Sequence, residues 1–182
     1  SEPADTDEFL VSDAGTLKRI DYSLIKGGGI TQADQWRLTA NTNNGTNDFV
    51  TSNWERNDST GFNYIGSGIS ESSGVFSFPS TGIYLLILHS YFRIVGGDLC
   101  ELSIHVTTDN SSYTEVAATS AYNGSGTDID GFNGSISYIL DVTDTSNVKT
   151  KLRTGSMNNN SYLTGSSVLN RTTFTFIRLG DT

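Results

Sequence analysis

Two histidines, one cysteine and a pair of aspartates one residue apart are the groups in this chain best suited to nucleophilic or metal chemistry. His89 and His105 are the only histidines, and neither lies in a His-Glu-x-x-His pattern, so a zinc hydrolase of that kind has no ligand set here. The nearest carboxylates in sequence are Asp98 for His89, and Glu101 and Asp109 for His105. Both histidines read as structural, His105 on the wet face of a strand. A Ser-His-Asp relay is assembled in space and leaves no fixed spacing, but the Gly-x-Ser-x-Gly elbow that often carries its serine is missing. No Gly-x-x-x-x-Gly-Lys phosphate loop occurs either. Cys100 alternates with polar neighbours in a way that turns it inward, where a thiol behaves as a small hydrophobe.

The run Asp128-Ile129-Asp130-Gly131 begins like a calcium loop, but Phe132 stands at the next ligand position and excludes a helix-loop-helix hand. Asp128 and Asp130, with Asp141 and Asp144 as further candidates, are the one acidic group to test for calcium; no other cofactor is expected. Trp36 and Trp54 would stack on sugar rings if exposed, although in a sandwich such rings more often fill the core or an interface.

The elements that must position these groups are short strands. Cys100, Leu102, Ile104 and Val106 alternate with Glu101, Ser103, His105 and Thr107, and Ile136, Tyr138, Leu140 and Val142 repeat the inward set. Val148, Thr150 and Leu152 face in, while Lys149, Lys151 and Arg153 face water. Runs of this kind bounded by Gly, Asn, Asp and Ser, with helical periodicity absent, predict an antiparallel sandwich or barrel. One run departs from the pattern. Ile83-Tyr84-Leu85-Leu86-Ile87-Leu88 is apolar on both faces, and the last strand, with Phe174 and Phe176 opposite Ile177 and Leu179, is two-sided as well. An antiparallel sandwich strand normally keeps one face wet, so something must cover the second face. The cover is either a loop of the same chain or further copies of the subunit; the two-sided last strand favours further copies, with Tyr84, Leu86, Leu88, Phe174 and Phe176 as the interface residues.

Residues 1–29 read as an arm, ending in the Gly27-Gly28-Gly29 hinge, and residues 30–182 as the head domain. In the arm, Phe9-Leu10-Val11 and Leu17 to Tyr22 flank Ser12-Asp13-Ala14-Gly15, a hairpin pattern. A lone hairpin is marginal in water, so Phe9, Leu10, Val11, Leu17, Ile20 and Tyr22 are expected to dock on another protein.

The stretch Gly74-Val75-Phe76-Ser77-Phe78-Pro79-Ser80-Thr81-Gly82-Ile83-Tyr84 resembles the F-x-x-P-x-x-G-x-Y region of the complement globular-head and tumour-necrosis-factor-like jelly rolls. Thr173-Phe174-Thr175-Phe176 resembles that family's closing strand. In the motif Pro79 stops one strand, Gly82 permits the turn and Tyr84 puts a large side chain into the barrel. The resemblance implies an all-β antiparallel jelly-roll β-sandwich over residues 34 to 180, and a homotrimer packed about a threefold axis. Separately, Asp7-Glu8-Phe9-Leu10-Val11-Ser12-Asp13-Ala14-Gly15-Thr16-Leu17-Lys18-Arg19 resembles segments of bacteriophage tail-fibre and related virion proteins.

Together these imply a non-enzymatic virion structural protein at the virion surface: the knob of a fibre, a spike or a capsid decoration, with the arm bound to other virion proteins. The alternative is a secreted carbohydrate-binding or adhesive module of a cell. Asn41 to Asn47, Asn123 to Asn133 and Asn158 to Ser166 are the expected display loops, with host-surface glycan as a candidate partner. A net charge of −9 argues against nucleic acid and acidic membranes as partners, and no apolar run approaches the ~18 residues of a spanning helix.

Overall fold

The computed structural model of the chain describes residues 3–4, 6–22, 29–42, 47–124, 126–158 and 160–182. Gly27 and Gly28 of the expected hinge lie outside the described residues, as do residues 43–46, 125 and 159 of the display loops. The described residues form β1 (Glu8–Asp13), β2 (Thr16–Asp21), β3 (Ala33–Leu38), β4 (Trp54–Arg56), β5 (Ser70–Ser72), β6 (Val75–Ser77) and β7 (Gly82–Val95). These are followed by β8 (Leu99–Thr107), β9 (Thr114–Tyr122), β10 (Ile129–Val142), β11 (Lys149–Gly155), β12 (Tyr162–Leu163) and β13 (Thr173–Gly180). Strands β1 and β2 pair as the expected hairpin, and Ala14 and Gly15 at its tip both hold positive φ, the geometry that matches the twist of a two-residue hairpin.

The rest is an antiparallel jelly-roll sandwich. One sheet has the order β10-β7-β13-β3-β4, with β12 added beside β7; the other runs β5-β6-β11-β8-β9. Non-consecutive neighbours such as β7 and β13 make the crossovers of a jelly roll rather than a meander. Between the sheets Phe76 is fully buried, with the rings of Trp54, Phe174 and Phe176 at 5.4, 5.4 and 5.5 Å. Trp36 lies edge-on at 6.0 Å. Trp54 therefore belongs to the core, held there by its indole N–H donating to the Val50 carbonyl at 3.0 Å, and Trp36 packs partly buried against that core.

The Phe-Pro-Gly-Tyr motif folds as its chemistry requires. Strand β6 ends two residues before Pro79, Gly82 turns at φ +139°, and the buried Tyr84 hydroxyl donates to the Ser80 carbonyl at 3.0 Å. The preceding tight turn, Ser73-Gly74, is held against the chain near Val50: a Cβ at Gly74 would lie 2.3 Å from the Val50 carbonyl oxygen, at a φ of +78°. Gly74→Ala combines left-handed strain with overpacking, together about 3 kcal/mol. The melting midpoint should fall by roughly 6–12 °C; a calorimetric midpoint within 2 °C of wild type would show that the turn relaxes freely.

Two expectations are corrected here. Tyr84, Leu86, Leu88, Phe174 and Phe176 are not an interface between subunits, because each is at most 1% exposed within one chain. In register, Leu86 pairs with Phe176 and Tyr138, and Leu88 with Phe174 and Ile136, so these rows face the opposite sheet. His105 does not lie on a wet face either. It points away from the core but is covered by the Phe49 ring at 5.2 Å, a residue far from it in sequence.

Candidate assembly face and attachment arm

The second apolar face of β7 is real, and it belongs to the alternate residues. Four strands, β10, β7, β13 and β3, set their outward side chains in cross-strand rows. Ile139, Leu85, Ile177 and Ala33 form an apolar row, and Ile83 extends it by one step along β7. The next row, Ser137, Ile87, Thr175 and Gln35, is mixed, and the one after, Ser135, His89, Thr173 and Arg37, is polar. Ile139 is 62% exposed, while Leu85, Ile87 and Ile177 are half-buried by their neighbours alone. A sheet face graded from aliphatic to polar along its strands is a surface suited to burial at one end and hydration at the other.

The polar row ends in a buried cation. Arg37 is 1% exposed and donates from Nε to Glu55 at 2.7 Å and from Nη1 to the Ser59 hydroxyl at 2.8 Å, with Asn57 at 3.3 Å. Its other terminal nitrogen reaches Asp58 and the Ser167 carbonyl. The guanidinium thereby joins two loops, 57–60 and 166–168, to the sheet. On the latter loop Val168 and Leu169 are 75% and 59% exposed, and both backbone N–H groups donate to the Ser166 hydroxyl.

The arm presents apolar groups on both sides. Phe9, Val11 and Ile20 share one face of the hairpin, with the Tyr22 ring 5.9 Å from that of Phe9. Leu10 and Leu17 lie on the other at 71% and 72% exposure. Lys18 pairs with Asp13 and Arg19 with Glu8, but these exposed ion pairs add little to so small an element.

The groups with latent chemistry are held in other ways. Cys100 is buried, and burial followed by the nearby Asp98 carboxylate pushes its thiol up to about 12, which keeps it protonated. At His105 the Ser103 hydroxyl and the Glu115 carboxylate both address Nε2, at 3.1 and 3.5 Å, whereas a relay places nucleophile and acid on opposite ring nitrogens. Burial depresses the His105 pKa, with Glu115 opposing it. Asp128 and Asp130 are both exposed near the start of β10, and Asp130 is in register with Ile94. Asp141 lies at the far end of that strand opposite Ile83, about 35 Å from Asp130 at the usual strand rise. Asp144 caps a turn through the Ser146 N–H at 2.7 Å. The four aspartates are thus not one cluster, and among the described residues no three His, Cys, Asp or Glu side chains converge on a common point.

No protein-family model matches the sequence, and a search of curated proteins finds no match. Solved structures do match in shape. The fold is similar to that of Eiger TNF from S. frugiperda, with a TM-score of 0.65 at 11% identity over 85% of this chain and 96% of that one. It is also similar to murine APRIL, at TM-scores of 0.59 and 0.60 and 13% identity over 81% of this chain and 98% of that one. The fold is therefore a tumour-necrosis-factor-like jelly roll, as the Phe-Pro-Gly-Tyr motif implied. Among the described residues no helix is long and apolar enough to cross a membrane.

Proposed function

We propose that the chain is a non-enzymatic, self-associating jelly-roll head, a homotrimer, which works by displaying several copies of its loops at once. The observation that carries this is the apolar row Ile139, Leu85 and Ile177 on the outward face of the larger sheet, in which Ile139 is 62% exposed and Leu85 and Ile177 are only half-buried within one copy. Burial of that row against a neighbour removes aliphatic surface from water, and joined copies bind a surface with avidity that one copy lacks. Association of this kind around an axis is what the family resembled by the motif typically shows. The hairpin arm, with apolar groups on both of its faces, supports attachment to another protein, and its likeness to tail-fibre segments supports a bacteriophage virion surface as the setting. A secreted adhesive module is the second reading, favoured by the polar end of the same face.

Leu85→Asp is the direct test, because Leu85 faces outward and its replacement spares the core. Light scattering on the wild type should give three times the 19.6 kDa subunit mass, and on the variant one subunit with an unchanged circular dichroism spectrum. A monomeric wild type, or a variant of unchanged mass, would overturn the assembly reading. Removal of residues 1–29 should leave the trimer intact and abolish its incorporation into particles; incorporation without the arm would overturn the attachment role.

A further inference from the structure

We propose that the cleft at the polar end of this face binds an acidic saccharide, with an oxyanion on Arg171 and sugar hydroxyls on the amides and hydroxyl around it. The cleft is lined by Gln35, His89, Asn133, Asn170, Arg171 and Thr173 and encloses about 490 Å³. That is within the roughly 300–1,000 Å³ of small-molecule sites.

Arg171 is the key group. The chain carries 20 acidic residues against 11 lysines and arginines, and Lys18, Arg19, Arg37, Arg56 and Arg178 each have a carboxylate partner. Arg171 has none within salt-bridge reach among the described residues. Arg93, Lys149, Lys151 and Arg153 share that property, but Arg93, Lys149 and Arg153 donate to backbone carbonyls and Lys151 lies over two rings. Of these five Arg171 alone lines the cleft, its guanidinium 5.7 Å from the centroid of the Tyr91 ring. The ring contact occupies none of the N–H groups, and Arg171 makes no hydrogen bond within the chain among the described residues, so its N–H groups are available to grip a carboxylate or sulfate through two parallel hydrogen bonds.

The neutral groups are arranged beforehand. Gln35 donates to the Thr175 hydroxyl at 2.9 Å and accepts from Asn57 at 3.1 Å and from Asn170 at 2.9 Å, so the Asn170 amide is fixed at the rim. The side chains of His89 and Asn133 make no hydrogen bond within the chain among the described residues, and both are exposed toward the cleft. One cation among several amides and a hydroxyl suits a polyhydroxylated frame bearing one negative group, and suits a densely charged phosphate polymer poorly, since the chain as a whole repels one. All these residues come from a single copy, so the inference goes beyond the assembly reading and does not depend on it.

The test is titration of the full chain with glucuronate, glucose and inorganic sulfate, followed by calorimetry or by amide chemical shifts. Glucuronate should saturate, with glucose and sulfate each at least tenfold weaker. In Arg171→Gln, folded by circular dichroism, glucuronate affinity should fall at least tenfold. Sulfate binding as tightly as glucuronate would overturn the saccharide in favour of a bare anion. Unchanged glucuronate affinity in Arg171→Gln, or no saturation by any of the three, would overturn the site. Light scattering on the same samples separates the two readings: a monomer that binds glucuronate sinks the assembly alone, and a trimer that does not bind sinks the cleft alone.

Discussion

Leu86→Asp should prevent folding, although Leu85→Asp, one residue away, should leave a folded subunit. Leu86 is fully buried between the sheets, in register with Phe176 and Tyr138. The substitution removes the packing of a leucine, worth about 2–5 kcal/mol, and sets a carboxyl with no partner into an apolar site at a cost of several more. The sum is on the order of the whole stability of a domain, roughly 5–15 kcal/mol. The check is the pair of spectra at 25 °C: loss of the β signal and of soluble yield for Leu86→Asp, retention of both for Leu85→Asp. If both variants fold equally well, the assignment of inward and outward faces on β7 is wrong.

Arg37→Ala should be damaging on the same scale as Gly74→Ala. Its guanidinium is satisfied on all sides, and truncation leaves the Ser167 carbonyl and the Asn57 and Ser59 side chains short of a partner. Asp58, three-quarters exposed, returns to water and contributes little, and Glu55, about one-third exposed, returns in part. A loss of about 3 kcal/mol is expected, which lowers the melting midpoint by roughly 6–12 °C. Arg37→Met, which keeps the volume, should lose less. The loops at 57–60 and 166–168 should loosen first, so amide exchange there should rise before that of β7. A midpoint within 2 °C of wild type for Arg37→Ala would show that the buried cation is not a structural tie.

The architecture was legible because alternation and turn chemistry are local. The inward sets on β8, β10 and β11 are read from neighbouring residues, and the Phe76 to Tyr84 motif is contiguous. On β7, where both sets are apolar, alternation says that two faces are covered but not which one meets the opposite sheet. The signal for choosing between them was ring size: Tyr84 in β7 and Phe174 and Phe176 in β13 fill the roughly 10 Å between sheets, whereas Ile83, Leu85 and Ile87 make a flatter surface. His105 was misplaced for another reason. The Phe49 ring that covers it comes from a segment outside its own hairpin, and no strand period reports such a cover.

The cleft was hidden for the same reason on a larger scale. Gln35, His89, Asn133 and Thr173 sit on four different strands, and only the cross-strand register brings them together. Of these His89 stood out in sequence for its chemistry, Asn133 as the end of an expected display loop and Thr173 within the closing-strand motif, and Arg171, with no motif around it, did not. The aspartate pair near residue 130 is the converse case, since residues close in sequence there do not converge with the acidic residues farther along the strand.

Strand β3 enters the head at Ala33 beside Ile177, and β13 leaves it at Gly180 beside Ile83, so the polypeptide arrives and departs at the same pole of the sandwich. A fluorescent label or cargo protein joined before Ala33 or after Gly180 would therefore sit beside the aliphatic rows and leave the Arg171 end unobstructed. Genetic grafts at the opposite pole would block that end while sparing the connection to whatever carries the head.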